Sequence, residues 1–224
     1  MSATKTPYVI LASGRGSNFS AIVAYERKNP GFPGKVQGLV CDRKEAPVLN
    51  EATRLAVPSV VIGAFGGASA GERGADRSAE RSEALTRAVN ELGARWAVLA
   101  GYMRLVDKSF LNAFRDERGF YRVVNIHPSL LPAFPGLEGY RQAFEHGSKL
   151  AGVTVHLVDE GLDSGLICAQ RSFDISSCRS VDEVEALGLE IEHEVFPETL
   201  AWLFEEKFRI ESRKGERKVL VRSR

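Results

Sequence analysis

Residues 123–136 read VVNIHPSLLPAFPG, in which a short apolar strand pattern ends abruptly at polar residues and prolines. Asn125 and His127 are two positions apart, so on an extended strand both side chains leave the same face, while Ile126 points the opposite way. The prolines that follow fix their own backbone and bias the preceding residues towards extended geometry. The stretch therefore predicts a buried strand followed by a stiff loop, with an amide and an imidazole on one face. A strand end whose polar groups merely bind nearby backbone would give the same pattern.

A second motif lies more than a hundred residues upstream. Residues 8–18, YVILASGRGSN, are typical of a short buried strand, a glycine-rich turn and a helix that begins near Asn18. Such a turn can present consecutive backbone N–H groups to an anion, and the helix dipole adds partial positive charge. The segment lacks the third glycine of a dinucleotide fingerprint and the lysine of a Walker loop. It indicates either a phosphate site or a tight structural turn.

The first hundred residues alternate between strand and helix patterns. We predict strands at 8–12, 35–41, 58–62 and 95–100, and helices at 18–28, 46–55 and 76–92. Several strands are apolar on both faces, as expected of a parallel sheet that helices cover on each side. The sequence thus predicts an α/β fold with a doubly wound, mostly parallel sheet. The glycine turn, residues 101–104 and the Asn125/His127 pair would then meet beyond the carboxyl ends of the strands.

The C-terminal half has a different pattern. We predict strands at 152–158 and 166–173, joined by a turn that holds Asp163, and a long helix at 181–204 that Pro197 interrupts or kinks. The basic tail holds one candidate strand at 218–221.

Residues 63–75, in the N-terminal half, are glycine-rich without an apolar period, and we interpret them as a mobile loop that could close over a ligand. We predict a single domain, 1–224, with a phosphate-binding half at about 8–120, a catalytic half at about 121–205 and a tail at 206–224.

Composition narrows the class of protein. The 224 residues include 30 basic and 29 acidic ones, so a formal charge of +1 favours neither nucleic acid nor a membrane surface as partner. Cys41, Cys168 and Cys178 form no CxxC pair, which indicates reduced, structural thiols. The apolar run at 9–12 is too brief for a signal peptide or a membrane span. A cytoplasmic protein that acts on small molecules is expected.

The polar residues suit acyl transfer without a protein nucleophile. His127 can act as a general acid or stabilise an oxyanion, and Asn125 can donate to the same oxygen. Asp163 could favour the imidazolium form of His127, although a turn aspartate that caps backbone N–H groups fits the sequence equally well. His156 lies within an apolar alternation and is interpreted as a hydrogen-bonded structural histidine. Because no nucleophile elbow and no metal-ligand spacing is present, we predict direct attack by an amine or water, without a metal.

Four segments resemble those of the phosphoribosylglycinamide formyltransferases, folate-dependent enzymes of purine synthesis. They are SGRGSN at 13–18, AGYMR at 100–104, NIHPSLLP at 125–132 and DSG at 163–165, in matching order and spacing. The resemblance covers about residues 8–203. It implies a formyltransferase, Rossmann-like fold with an antiparallel C-terminal part. It also implies transfer of the formyl group of 10-formyltetrahydrofolate to the amine of glycinamide ribonucleotide, with no metal and no covalent intermediate.

The resemblance further implies roles for single residues. The catalytic residues would be Asn125, His127 and Asp163. The ribonucleotide and its phosphate would be bound by Gly16, Ser17, Asn18 and Glu192. The folate would be bound by Arg77, Met103, Arg104, Leu105, Val106, Asn125, Asp159, Glu160, Gly161, Leu162 and Asp163, with Arg81 as the alternative to Arg77.

The chain departs from the family pattern just after Gly136. Residues 137–141 read LEGYR, where the family usually has histidines. The departure, at Glu138 above all, keeps open a related folate formyltransferase for another amine, or a 10-formyltetrahydrofolate deformylase that uses water. A third interpretation is a ligand sensor that has lost catalysis, against which the intact catalytic motifs argue.

Overall fold

The computed structural model describes residues 4–63, 72–212 and 218–223, and the side chains of all of these except 72–78. The main sheet has seven strands in the order β3-β2-β1-β4-β5-β6-β7. Neighbouring strands from β3 to β5 run parallel, whereas β6 and β7 are antiparallel to their neighbours. The strands are β1 Thr6–Ala12, β2 Gly34–Cys41, β3 Ser59–Val61, β4 Trp96–Leu99, β5 Val123–His127, β6 Leu150–Leu157 and β7 Ile167–Asp174. The predicted fold class is confirmed.

Helices cover both faces of this sheet. Those of the described residues are α1 Ser17–Lys28, α2 Val48–Arg54, α3 Glu72–Glu91, α4 Lys108–Ala113, α5 Gly139–Glu145 and α6 Val181–Phe204. A second, antiparallel sheet pairs β8 Phe208–Ser212 with β9 Lys218–Arg222. Among the described helices, none is both long and apolar enough to cross a bilayer.

Strand β1 shows why its sequence is apolar without alternation. Tyr8 and Ile10 pack into the core on the α1 and α6 side, while Val9 and Leu11 pack on the α3 and α4 side. All four side chains are fully buried. A strand that separates two cores needs apolar residues on both faces, and this is the pattern that predicted a covered parallel sheet.

The three cysteines are free, as predicted. Burial raises the pKa of the Cys41 and Cys168 thiols, which disfavours the reactive thiolate. Both thiols therefore behave as small core side chains.

Several predictions about secondary structure were wrong. Helices α4 and α5 and strand β8 were not predicted, because elements of five to seven residues show too little periodicity to recognise. Helix α3 begins at Glu72, so residues 72–75 are not loop; glutamate, arginine and alanine favour helix more than the neighbouring glycines oppose it. Residues 64–71 lie outside the described residues, and their closure over a ligand stays a prediction.

Helix α6 spans Val181–Phe204, as predicted. It runs over 24 residues with Pro197 inside it, so the helix is not interrupted there, and a kink at Pro197 stays a prediction. Proline in a helix interior costs about 3 kcal/mol relative to alanine. Phe196 and Leu200 are fully buried beside it, and burial of one such side chain contributes about 1.5–3 kcal/mol. Packing against the sheet therefore outweighs the proline.

Candidate active site

A cleft of about 720 Å³ opens beyond the carboxyl ends of β1, β4 and β5. The turn after β1, the loop after β4, the end of β5 and the β6–β7 connection all line it, as the topology predicts. The predicted site residues found in its lining are Gly16, Ser17, Asn18, Met103, Arg104, Leu105, Val106, Asn125, His127, Asp159, Glu160, Gly161, Leu162, Asp163 and Glu192. The side chain of Arg77 lies outside those described. The structure brings the other residues together, and their roles stay predictions.

The glycine turn leads directly into the N-terminus of α1. Gly16 has a φ of 83°, and a Cβ added there would lie 2.5 Å from the Cγ2 atom of Val48. Only glycine accommodates both the left-handed backbone and this close approach. The first N–H groups of a helix have no partner within it, and the first turn of α1 has no acidic residue. The turn thus presents donors and partial positive charge to the cleft.

Each ring nitrogen of His127 faces a hydrogen-bond acceptor. Its Nε2 atom lies 2.8 Å from the carbonyl oxygen of Phe134, and its Nδ1 atom lies 3.4 Å from Oδ2 of Asp163. A carbonyl and a carboxylate only accept, whereas a neutral imidazole carries a single N–H. An N–H on either ring nitrogen therefore has an acceptor close by.

Asp163 binds a backbone N–H group and also faces two histidines. Its Oδ2 atom accepts a hydrogen bond of 2.8 Å from the backbone N–H of Gly136, so it caps the proline loop. The same carboxylate faces His127 and also lies 3.7 Å from Nε2 of His156. Its own backbone is left-handed, with a φ of 48°. The β6–β7 turn therefore directs the carboxylate at two imidazoles.

His156 makes a contact with Asn125 that could not be predicted from the sequence. Its Nδ1–H donates to the carbonyl of Leu157 at 3.0 Å, so Nε2 of the neutral ring accepts from Nδ2 of Asn125 at 3.2 Å. Burial lowers the pKa of His156, which favours this neutral form. The predicted hydrogen-bonded histidine is confirmed, and it orients the Asn125 amide. Only the pairing of Asn125 with His156 across β5 and β6 reveals this.

The mouth of the cleft is unusually apolar. Met103, Leu105 and Leu162 are 65%, 72% and 56% exposed, and all three belong to the cleft lining. Exposed clusters of large apolar side chains mark ligand or partner sites. Two contacts anchor the loop at residues 103–104. The Met103 N–H donates to Ser13 Oγ, and the Arg104 guanidinium pairs with buried Asp42 at 2.7 Å.

Glu192 lies in the cleft lining beside the glycine turn. The carboxylate accepts one hydrogen bond from Asn18 Nδ2 and one from the Tyr140 hydroxyl, each 2.6 Å long. Burial raises the pKa of Glu192, and the two hydrogen bonds oppose that shift. Tyr140 belongs to the segment 137–141, in which the sequence departs from the pattern that it otherwise resembles.

A buried hydroxyl anchors the proline loop behind His127. Thr154 Oγ1 donates to the carbonyl of Ser129, and accepts from the N–H of Leu131 and from the amide of Gln170. Gln170 also donates to the carbonyl of Leu131. One hydroxyl thus satisfies two backbone groups of the loop.

Replacing Thr154 with valine is expected to lower the free energy of unfolding by about 2 kcal/mol, because the valine leaves buried backbone groups unpaired. Chemical denaturation measures this change. Thr53→Val is the matched control, since the Thr53 hydroxyl bonds the Leu49 carbonyl on an exposed helix, and its cost should be about 0.5 kcal/mol or less. Equal losses in the two variants would show that the Thr154 hydroxyl does not anchor the loop.

Among the residues the structure describes, no group of three or more His, Cys, Asp or Glu side chains is placed to hold a metal ion. The polar chemistry of the cleft centres on His127, Asn125 and Asp163.

Comparison with known proteins shows which family the chain belongs to. The model of the formyl transferase family matches residues 7–200, which include every described motif of the cleft. The chain therefore belongs to the formyl transferase family.

Its relatives narrow the assignment. The phosphoribosylglycinamide formyltransferase of Bacillus subtilis (strain 168) is 37% identical over 196 residues, which cover 88% of this chain and 93% of the relative. The solved glycinamide ribonucleotide transformylase 1 of Symbiobacterium toebii superposes with a TM-score of 0.83 at 35% identity, over 97% of this chain and 94% of that one. The glycinamide ribonucleotide transformylase 1 of Geobacillus kaustophilus superposes with a TM-score of 0.77 at 39% identity, over 89% of this chain and 99% of that one. Within the family, the chain belongs with the phosphoribosylglycinamide formyltransferases.

Proposed function

We propose that this protein transfers the formyl group of 10-formyltetrahydrofolate to the amine of glycinamide ribonucleotide. The observation that carries the proposal is the grouping of Asn125, His127 and Asp163 in one cleft with a phosphate-type helix N-terminus and an apolar mouth. Each feature suits one part of the reaction. The two substrates would meet at the imidazole.

The phosphate of the ribonucleotide suits the turn at Gly16 and Ser17. The helix N-terminus supplies N–H donors and partial positive charge, and no acidic side chain in the first turn of α1 opposes an anion. The rings of the folate suit the exposed side chains of Met103, Leu105 and Leu162 in the same lining. Apolar ring systems gain free energy by covering exposed apolar side chains.

The reaction joins the amine nitrogen to the formyl carbon and breaks the bond between that carbon and N10 of the folate. One N–H of the His127 imidazolium would exchange its present acceptor for the oxyanion of the tetrahedral intermediate, and the amide of Asn125 would donate to the same oxygen. Asp163 would accept the proton that the amine loses, directly or through water, and would pass a proton on to N10 as it leaves. In sum, the formyl group and one proton exchange places between the two nitrogens.

In the sequence, the segment 137–141 kept open a related folate formyltransferase that uses another amine and a deformylase that uses water. In the structure Glu138 is exposed and pairs with Arg141 at 3.1 Å, whereas the contacts of His127 involve other residues. The described contacts of His127 thus involve no residue of 137–141, although Leu137 and Glu138 belong to the same cleft lining, and this supports transfer to the amine. Release of tetrahydrofolate followed by absorbance tests this: turnover should require glycinamide ribonucleotide. Equal rates without it would support the deformylase, and no turnover at all would support a sensor.

Replacing Arg15 with alanine is expected to weaken ribonucleotide binding by less than about threefold, because backbone donors rather than this exposed side chain would hold the phosphate. Calorimetric titration with glycinamide ribonucleotide measures the dissociation constant. Gly16→Ala is the matched comparison: a Cβ at a φ of 83° and 2.5 Å from Val48 should distort the turn and weaken binding more than about tenfold. A collapse of binding in Arg15→Ala would assign the phosphate to the guanidinium instead.

A further inference from the structure

The strongest unassigned feature is a buried hydrogen-bond chain that joins three distant segments. It runs from Tyr140 on α5 through Glu192 on α6 to Asn18 in the first turn of α1, with two bonds of 2.6 Å. The three residues are only 6–8% exposed, and all line the cleft. We propose that Tyr140 is a positioning residue for the ribonucleotide: its hydroxyl holds the Glu192 carboxylate against Asn18 at the phosphate turn. This inference rests on the function proposed above.

The carboxylate determines how the Asn18 amide is oriented. An ionised carboxylate only accepts hydrogen bonds, so Asn18 must turn Nδ2 towards Glu192 and Oδ1 away from it. In this orientation Oδ1 is buried and has no partner among the residues described. A flip would place Oδ1 against the carboxylate, so an ionised, correctly placed Glu192 keeps the amide in this state. Asn18 follows Gly16 by two residues, and the hydrogen-bond chain therefore ends at the predicted anion site.

Packing fixes the ring of Tyr140 independently of its hydroxyl. A Cβ at Gly188 on α6 would lie 2.2 Å from the Cζ atom of Tyr140, so the glycine makes room for the ring. The ring also packs edge-on against Phe173, with centroids 6.0 Å apart. Phenylalanine at position 140 would keep these contacts and lose only the donor to Glu192. The function of the hydroxyl can thus be separated from that of the ring.

The charges around the hydrogen-bond chain determine how the protonation of Glu192 depends on pH. His193 on α6 and His127 on β5 favour the ionised form of Glu192, whereas burial favours the neutral form and raises the pKa. On the tyrosine side, burial, Glu192 and Glu185 raise the pKa of Tyr140, so its hydroxyl remains a donor. Without that donor, burial is less opposed and the pKa of Glu192 should rise further. Protonated Glu192 no longer requires the N–H of Asn18, so ribonucleotide affinity should fall as the pH falls, beginning at a higher pH in Tyr140→Phe.

Calorimetric titration of the full chain with glycinamide ribonucleotide tests the proposal. We expect Tyr140→Phe to raise the dissociation constant about tenfold, to move the acid limb of binding to higher pH, and to leave the affinity for 10-formyltetrahydrofolate within about twofold. The titration of the ligand phosphate near pH 6 is common to both proteins, so the difference between their profiles reports Glu192.

Tyr8→Phe is the matched control. The Tyr8 hydroxyl donates to Glu26 at 2.7 Å, and neither residue lines the cleft. This variant should lose stability without changing ribonucleotide affinity. In a Glu192→Gln background, Tyr140→Phe should have a clearly smaller effect than in the wild type, because the hydroxyl is proposed to act through the carboxylate.

Three results would overturn the inference: an unchanged dissociation constant in Tyr140→Phe, equal weakening of both substrates, or full additivity with Glu192→Gln. The proposed function fails separately, when the wild type binds the ribonucleotide but does not formylate it. A wild type that binds no ribonucleotide would overturn both.

Discussion

Replacing His127 with alanine is expected to lower kcat for formylation of glycinamide ribonucleotide by a factor of about 10² to 10⁴, the usual contribution of a positioned acid or oxyanion donor. The imidazole lies between the carbonyl of Phe134 and the carboxylate of Asp163. Alanine removes the donor without a replacement. Steady-state kinetics with both substrates saturating measures the loss, and ribonucleotide affinity should change by less than about threefold because the phosphate turn is intact.

His146→Ala is the control for this experiment. His146 is the exposed residue that follows α5, and its Nδ1 atom bonds the carbonyl of Gln142. Its removal should leave kcat within about twofold of the wild type, as for most surface substitutions. Wild-type turnover in His127→Ala would remove His127 from the mechanism. A fall in turnover caused by unfolding would be evident from thermal denaturation of the two variants.

Replacing Asp163 with asparagine is expected to lower kcat by about 10²-fold or more, because the proton acceptor and the charge that faces His127 are lost. Asparagine tolerates the left-handed backbone at this position, and its amide oxygen can still accept from the N–H of Gly136. The substitution therefore keeps the turn and removes the charge. Single-turnover measurements separate this loss in the chemical step from product release.

Asp174→Asn is the matched control, since the Asp174 carboxylate accepts from the Ser176 N–H at 2.7 Å on an exposed turn and lies outside the cleft lining. It should leave the rate unchanged. Wild-type turnover in Asp163→Asn would show that Asp163 is only a cap of the proline loop.

Local rules explain what the sequence could predict. The period of two in β5 placed Asn125 and His127 on one face, and the doubly wound pattern brought the glycine turn to the same sheet edge. The resemblance supplied the third residue, Asp163, whose distance from His127 no spacing rule gives. The roles of these residues, the assignment of Arg77, and the division into two halves and a tail remain predictions.

Tertiary packing determines what the sequence could not predict. His156 orients Asn125 only because β5 and β6 are antiparallel in a particular register. The Tyr140–Glu192–Asn18 chain joins residues as many as 174 positions apart, and it depends on the short helix α5, which the periodicity did not reveal. The departure at 137–141 likewise has two parts: Glu138 is exposed and Tyr140 is buried, and both belong to the cleft lining.

The most direct test of the central claim is to follow the carbon that moves. The protein would be supplied with 10-formyltetrahydrofolate labelled with ¹³C in the formyl group and with glycinamide ribonucleotide, and the products analysed by ¹³C NMR. We expect the label to appear as the formamide carbon of the ribonucleotide, in amounts equal to the tetrahydrofolate released. Label that accumulates as free formate would contradict the central claim, because the formyl group would then have passed to water.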